Sequence, residues 1–156
     1  MSSETIVTAL FLIAAVVAAG VLINAIFPVI SRTTETFGSV SHTADTQIRT
    51  DIKVVNYFAK TPNAEIWLKN IGSSRISANE LDDSDVFIGG VGNFSRISLG
   101  ATPWDFPEDP AGQWWDPGET LHINMNSVNI PATGEMTYFA IVLPNGVKRS
   151  VEFAAD

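Results

Sequence analysis

The pattern of apolar and polar positions divides the chain in two. Residues Ile6 to Ile30 read IVTALFLIAAVVAAGVLINAIFPVI, a run without charge, interrupted by polar Thr8 and Asn24 and with Pro28 near its far end. A helix of about 20 apolar residues crosses a hydrocarbon layer of about 30 Å, so this block is long enough to be transmembrane. A cleaved secretory signal wants a basic start, a shorter apolar core and a small-residue cleavage site. Here Met-Ser-Ser-Glu-Thr precedes the block, with no Lys or Arg. A core helix of a soluble protein would confine its apolar side chains to one stripe, whereas these surround the helix.

The helical period continues past Ile30. Phe37, Val40, Ala44 and Ile48 recur at spacings that keep one face, with Arg32, Thr34, Glu35, Ser41 and Asp45 on the other. The pattern predicts a helix from about Ser3 to Asp45, roughly 65 Å long at 1.5 Å per residue. That exceeds one bilayer crossing, so the remainder stands clear as a stalk, lies on the following domain or packs against other copies. Pro28 predicts a kink, and Gly38 weakens the helix further. Ala14, Ala15, Ala18, Ala19 and Gly20 allow close approach of a neighbouring helix. Asn24 can hydrogen-bond across a helix pair, reach the headgroup zone or bond a backbone carbonyl. The outer stripe of Phe37, Val40 and Ala44 is a candidate assembly surface.

From Asp51 the period changes to alternation. Leu121, Ile123 and Met125 are apolar between polar His122, Asn124 and Asn126, and Val147 to Phe153 repeats the pattern. One face is buried and one is wet, as in an antiparallel sheet. Further predicted strands are Ile52 to Ala59, Ala64 to Asn70, Asp85 to Gly89, Phe94 to Leu99 and Met136 to Leu143. Turn signals separate them: Thr61-Pro62-Asn63, Gly89-Gly90, Pro117-Gly118, Pro131 to Gly134 and Pro144-Asn145-Gly146. The last is a hairpin signal, Asn-Gly between two apolar runs. About seven strands and no second long helix predict an immunoglobulin-like β-sandwich, with a barrel as the alternative. The expected class is α+β by content: residues 1–48 a transmembrane helix and amphipathic stalk, residues 49–156 an all-β domain.

The stretch Gly100 to Gly118 carries Trp104, Phe106, Trp114 and Trp115 among four prolines. Clustered aromatics either anchor an interface or close one end of a core. Trp104 and Phe106 are read as candidate contact residues, Trp114 and Trp115 as a satellite core.

Charge narrows the partners. From Asp51 onward there are 14 acidic and 7 basic residues, a net charge of −7. That surface argues against nucleic acid, which needs clustered cations, and against docking by charge on anionic lipid. With no cysteine, thiolate chemistry and Cys-ligated zinc are excluded. His42 and His122 lie in different elements and suggest no triad or ligand set, so neither an enzyme nor a cofactor is expected. Asp82, Asp83 and Asp85 lack the glycine and terminal Glu of a calcium loop and read as a solvated turn. Asn93-Phe94-Ser95 matches the N-glycosylation acceptor pattern. Read literally, Arg32 and Arg49 after the apolar block would place the β-domain in the cytoplasm, but one or two residues are too small a bias to fix orientation.

These residues resemble a known group. The polar start, the apolar block and the following stalk Thr33 to Asp45 (TTETFGSVSHTAD) are similar to the archaellum (archaeal flagellum) accessory family FlaG. The run Ile66-Trp67-Leu68-Lys69-Asn70-Ile71-Gly72 resembles one shared by FlaG, its relative FlaF and the archaellins. The resemblance covers most of the chain but not Gly100 to Gly118. It implies an extracytoplasmic β-sandwich held in the cell membrane by one helix at the archaellum base. It also implies a static part of the motor, self-associating or paired with a FlaF-like protein and linked to a surface-layer protein. The chain lacks the Lys-Lys/Arg-Gly cleavage signal that precedes the archaellin helix, which favours an accessory protein over a filament subunit. A filament subunit, and an anchored carbohydrate- or peptide-binding module, are the competing expectations.

Overall fold

The computed structural model describes residues Ser3–Asp156. They form two compact units, the first ending at Thr43 and the second comprising Ala44–Asp156.

Helix α1 (Ser3–Arg49) runs for 47 residues, is continuous across Pro28 and Gly38, and buries none of its side chains. At 1.5 Å per residue it is about 70 Å long, ending one turn beyond the predicted Asp45. Its polar residues are largely self-satisfied. The hydroxyls of Ser31, Thr33, Thr34, Thr36 and Thr43 each donate to the carbonyl four residues back, and Ser39 donates to Thr36.

The second unit holds seven strands close to where alternation predicts them: β1 (Ile52–Lys60), β2 (Asn63–Asn70), β4 (Asp85–Gly90), β5 (Asn93–Ser98), β8 (Thr120–Asn126), β9 (Met136–Val142) and β10 (Lys148–Ala154). Three two-residue strands are added: β3 (Ile76–Ser77), β6 (Trp104–Asp105) and β7 (Trp114–Trp115). Two four-stranded antiparallel sheets, ordered β1-β2-β8-β6 and β10-β9-β4-β5, pack face to face, and β3 and β7 form a separate ribbon. Ile66, Leu68, Leu121 and Ile123 from one sheet meet Val86, Ile88, Phe139 and Ile141 from the other, all fully buried. In β2 and β8 the alternating neighbours face outward, which is why the period of two is visible there; in β9 Ala140 between Phe139 and Ile141 is buried as well. The predicted Asn-Gly hairpin joins β9 to β10, with Gly146 at φ +85° in the left-handed region that suits glycine.

The stretch Gly100 to Gly118 is built into the fold. Leu99–Ala101 is a single 3-10 turn, β6 pairs with β8, and β7 pairs with β3. Trp115 is fully buried and its Nε1–H donates to the Glu119 carbonyl at 2.9 Å. Glu108 accepts from the Thr120 N–H at 3.2 Å. Desolvation pushes the Glu108 carboxyl upward, but hydrogen bonds from Thr120 and its own backbone, with Lys69 nearby, outweigh it and leave the group below its ordinary value.

The end of α1 is bonded into the sandwich. The Arg49 carbonyl, which has no partner further along the helix, accepts the N–H groups of Ser73 and Ser74 at 2.9 and 3.2 Å. The Asp51 carbonyl accepts those of Ile71 and Gly72, both at 2.9 Å. Gln47 donates to the Asn145 carbonyl at 2.6 Å, and Asn145 Nδ2–H donates to Thr50 Oγ1 at 3.0 Å. Asn70, fully buried, ties the same region together. Its amide donates to the Ser74 and Trp115 carbonyls, and its Oδ1 accepts the Gly72 N–H. Backbone approaches backbone so closely at Gly72 that a Cβ would lie 2.3 Å from the Arg49 oxygen and 2.5 Å from the Asp51 nitrogen.

Two predictions follow from this packing. Gly72→Ala must push backbone apart and is expected to destabilise the second unit by about 3 kcal/mol, whereas Gly38→Ala, with nothing within 4 Å of its Cβ, should be neutral or stabilising. Denaturant unfolding read by tryptophan fluorescence distinguishes the two. By the same assay Trp115→Ala should cost about 3–5 kcal/mol, against less than about 1 kcal/mol for its exposed neighbour in Trp114→Ala.

Candidate assembly surfaces

Four surface features carry recognition chemistry. The first lies on α1, where Val29, Arg32, Thr33, Thr36, Phe37 and Val40 line a shallow apolar groove. Phe37 and Val40 are 69% and 59% exposed. Side chains at these intervals share a helix face, and the threonine hydroxyls beside them are already bonded inward. Ala44, which begins the second unit, is also exposed.

The second is the outer face of the β4–β5–β9 region. Phe94 meets Phe87 edge-on at 6.0 Å between centroids and Tyr138 at 5.2 Å. Phe94 and the nearby Met136 are about half exposed. Arg96 on the same face pairs with Asp85 at 2.9 Å, which raises the guanidinium pKa still further through the hydrogen bond and the adjacent charge.

The third is a polar cluster on the opposite sheet. His122 stacks on Trp67 at 4.7 Å, and its Nδ1 lies 2.9 Å from Asp105 Oδ1. Its Nε2 is 3.5 Å from Glu65 Oε2, an ion-pair distance without hydrogen-bond geometry, so this buried nitrogen has no hydrogen-bond partner. The two carboxylates sit on opposite edges of the ring and do not converge on one point, which is not a ligand arrangement. The fourth is Trp114, 42% exposed, with the Arg75 guanidinium carbon 4.2 Å from its ring centroid.

The predicted site residues fall unevenly. Phe37, Val40 and Ala44 lie on the surface. Asn93 is exposed beside the β4–β5 turn, opposite Gly90. Trp104 is half-buried and its Nε1–H donates to Asp82 Oδ1 at 3.1 Å. Phe106 corrects the contact reading: it is only 2% exposed, in the shared core beside Trp104 at 5.3 Å. Trp115 is core as expected, but Trp114 is exposed, contrary to its expected burial. The aspartates have structural work: Asp82 holds Trp104, Asp83 caps the short helix α2 (Ala78–Asp82), and Asp85 holds Arg96. Arg75 and Trp114 were missed as a pair because the ribbon joining them is two residues long on each side.

The family model for archaeal-type flagellin matches residues 2–153. An uncharacterised protein of Archaeoglobus fulgidus is 29% identical, with 99% of each chain covered. The archaellum periplasmic stator protein FlaG from Sulfolobus acidocaldarius has a similar solved fold (TM-score 0.53, 21% identity, 67% of this chain and 99% of that one). A chain in the stator complex of FlaF and FlaG is similar too (TM-score 0.54, 20% identity, 65% and 87%). The archaeal flagellum of Methanospirillum hungatei strain JF1 matches at TM-score 0.73 and 14% identity, covering 100% of this chain and 94% of that one. Identities at this level show a common fold, while the family match spans nearly the whole sequence. The chain belongs to the archaeal-type flagellin family, an archaellum-related structural family and not an enzymatic one.

Proposed function

We propose that this chain is a membrane-anchored structural component of the archaellum motor, a stator or anchor. In this reading the apolar block of α1 crosses the cell membrane once and the sandwich stands outside the cytoplasm at the archaellum base. The observation that carries the reading is the sandwich itself, whose fold corresponds to 99% of the solved chain of a stator protein. The helix ahead of it adds an apolar, uncovered segment of membrane-spanning length. Phe37, Val40 and Ala44 are the proposed self-association surface. A FlaF-like protein and a surface-layer protein are the proposed partners of the sandwich, and Trp104 is a secondary contact at its edge. Asn93 is the proposed acceptor of a glycan, which accords with an outside location.

A filament subunit is the second reading. It is favoured by the likeness of the whole chain, helix included, to a subunit of a flagellar filament. Electron microscopy of the purified chain separates the two. Discrete particles are expected; helix-cored filaments built from this chain alone would sink the stator reading. Crosslinking in cells from the sandwich should capture a FlaF-like or surface-layer protein, and capture of archaellin alone would argue for the filament.

Phe37→Glu and Val40→Glu each put a charge into the proposed seam and should weaken self-association by at least about tenfold, as read by sedimentation in detergent. For the chain isolated from its native host, Asn93→Gln should lower the intact mass by one glycan. An unchanged mass would remove the glycosylation proposal.

A further inference from the structure

Arg75 is a cation held differently from its neighbours. Arg96, Arg149 and Arg49 each end on a carboxylate, of Asp85, Asp51 and Asp45 respectively. Arg75 instead lies over the Trp114 ring, with no ion pair among the described residues. Stacking engages the flat face of a guanidinium and leaves its in-plane N–H edges free, and those edges match a carboxylate in bidentate fashion. In a surface this acidic, such an edge is scarce.

The ribbon keeps these groups in place. Ile76 pairs with Trp115 and Ser77 with Trp114, and the Ala78 N–H donates to the Gln113 carbonyl at 2.9 Å. Ile76 and Trp115 are anchored in the core. Alternation therefore turns Arg75, Ser77 and Trp114 outward. Beside the ring is a recess lined by Ser77, Ala78, Asn79, Gln113 and Trp114, and Arg75 lies over the same ring outside that lining. Its lining offers one aromatic surface and two side-chain amides able to donate and accept, and the nearby Glu80 carboxylate is taken up by the Ser77 N–H and hydroxyl at 2.8 Å. A peptide anchor would ask for an apolar pocket beside the ring, which this lining does not supply. Ordering costs are small because the strands already fix the platform.

We propose that this recess binds a sugar bearing a carboxylate, a hexuronic acid unit of a glycan. The exposed part of the Trp114 ring packs against the sugar's C–H groups, Asn79 and Gln113 take its hydroxyls, and Arg75 takes the carboxylate. The site is independent of the anchoring reading and holds equally for a filament subunit.

The full-length chain, in a nonionic detergent without a sugar headgroup, is titrated with oligogalacturonate and with a neutral galactose oligomer of equal length. Amide shifts of Arg75–Asn79 and Gln113–Trp115 are followed by NMR. The acidic oligomer is expected to bind roughly tenfold or more tightly than the neutral one. Trp114→Ala should abolish binding of both, and Trp114→Phe should retain part of it. Arg75→Gln should erase the preference for the acidic oligomer while leaving neutral binding unchanged, and Arg75→Lys should restore part of the preference. The proposal is overturned by equal binding of the two oligomers, by shifts confined to other surfaces, or by no shift up to ~10 mM. Equal affinity for a carboxylate-rich tripeptide would also overturn it, in favour of a protein partner. Wild-type shift mapping decides the matter even where a variant fails to fold.

Discussion

The contact between Gly72 and the end of α1 is the constraint on which the second unit depends. A helix terminus leaves its last carbonyls without partners, and a sheet leaves a turn after each strand. Here each solves the other's problem. The turn after β2 supplies N–H groups to Arg49 and Asp51, and only a residue without a side chain lets the two backbones come that close. Asn70 then binds the turn to Trp115, so the helix end, the second strand and the aromatic stretch form one hydrogen-bonded block. The chain passes from helix to sheet with almost no linker, since α1 ends at Arg49 and β1 begins at Ile52.

That block gives the run Ile66 to Gly72 a physical meaning. Its first half alternates inward and outward as ordinary strand, with Ile66 and Leu68 in the core. Its second half, Asn-Ile-Gly, is the fastening. The run is thus explained by how it receives the last residues of α1 within the second unit, without any ligand or reaction.

Legibility in the sequence followed the length of the repeating pattern. The seven main strands were readable because each runs for at least six residues between turn signals, with clean inward–outward alternation in β2 and β8, and α1 because its apolar block is long and uncharged. The short elements were not. A two-residue strand has no period, so the direction of Trp114, Trp115 and Phe106 depended on pairings that form only in the folded chain. Phe106 looked like a contact residue among prolines and charges, yet the sandwich closes over it. One missed element did leave a trace: Ser77-Ala78-Asn79-Glu80 is a capping-box pattern, and Ser77 and Glu80 exchange those hydrogen bonds at the start of α2. Surfaces that meet other chains are not legible for a different reason, since a single chain displays surfaces without their complements.

The inward-bonded hydroxyls of α1 bear on where its apolar character stops. By letter, the stretch after Ile30 is hydrophilic, crowded with serine and threonine. In the folded helix most of those groups have spent their donor on the preceding turn, leaving methyls and methylenes toward the surroundings. Transferring such a segment out of water is less costly than its composition implies. Apart from Arg32, Glu35 and Asp45, the stretch therefore presents a less polar surface than its letters suggest, one that can face solvent or another helix.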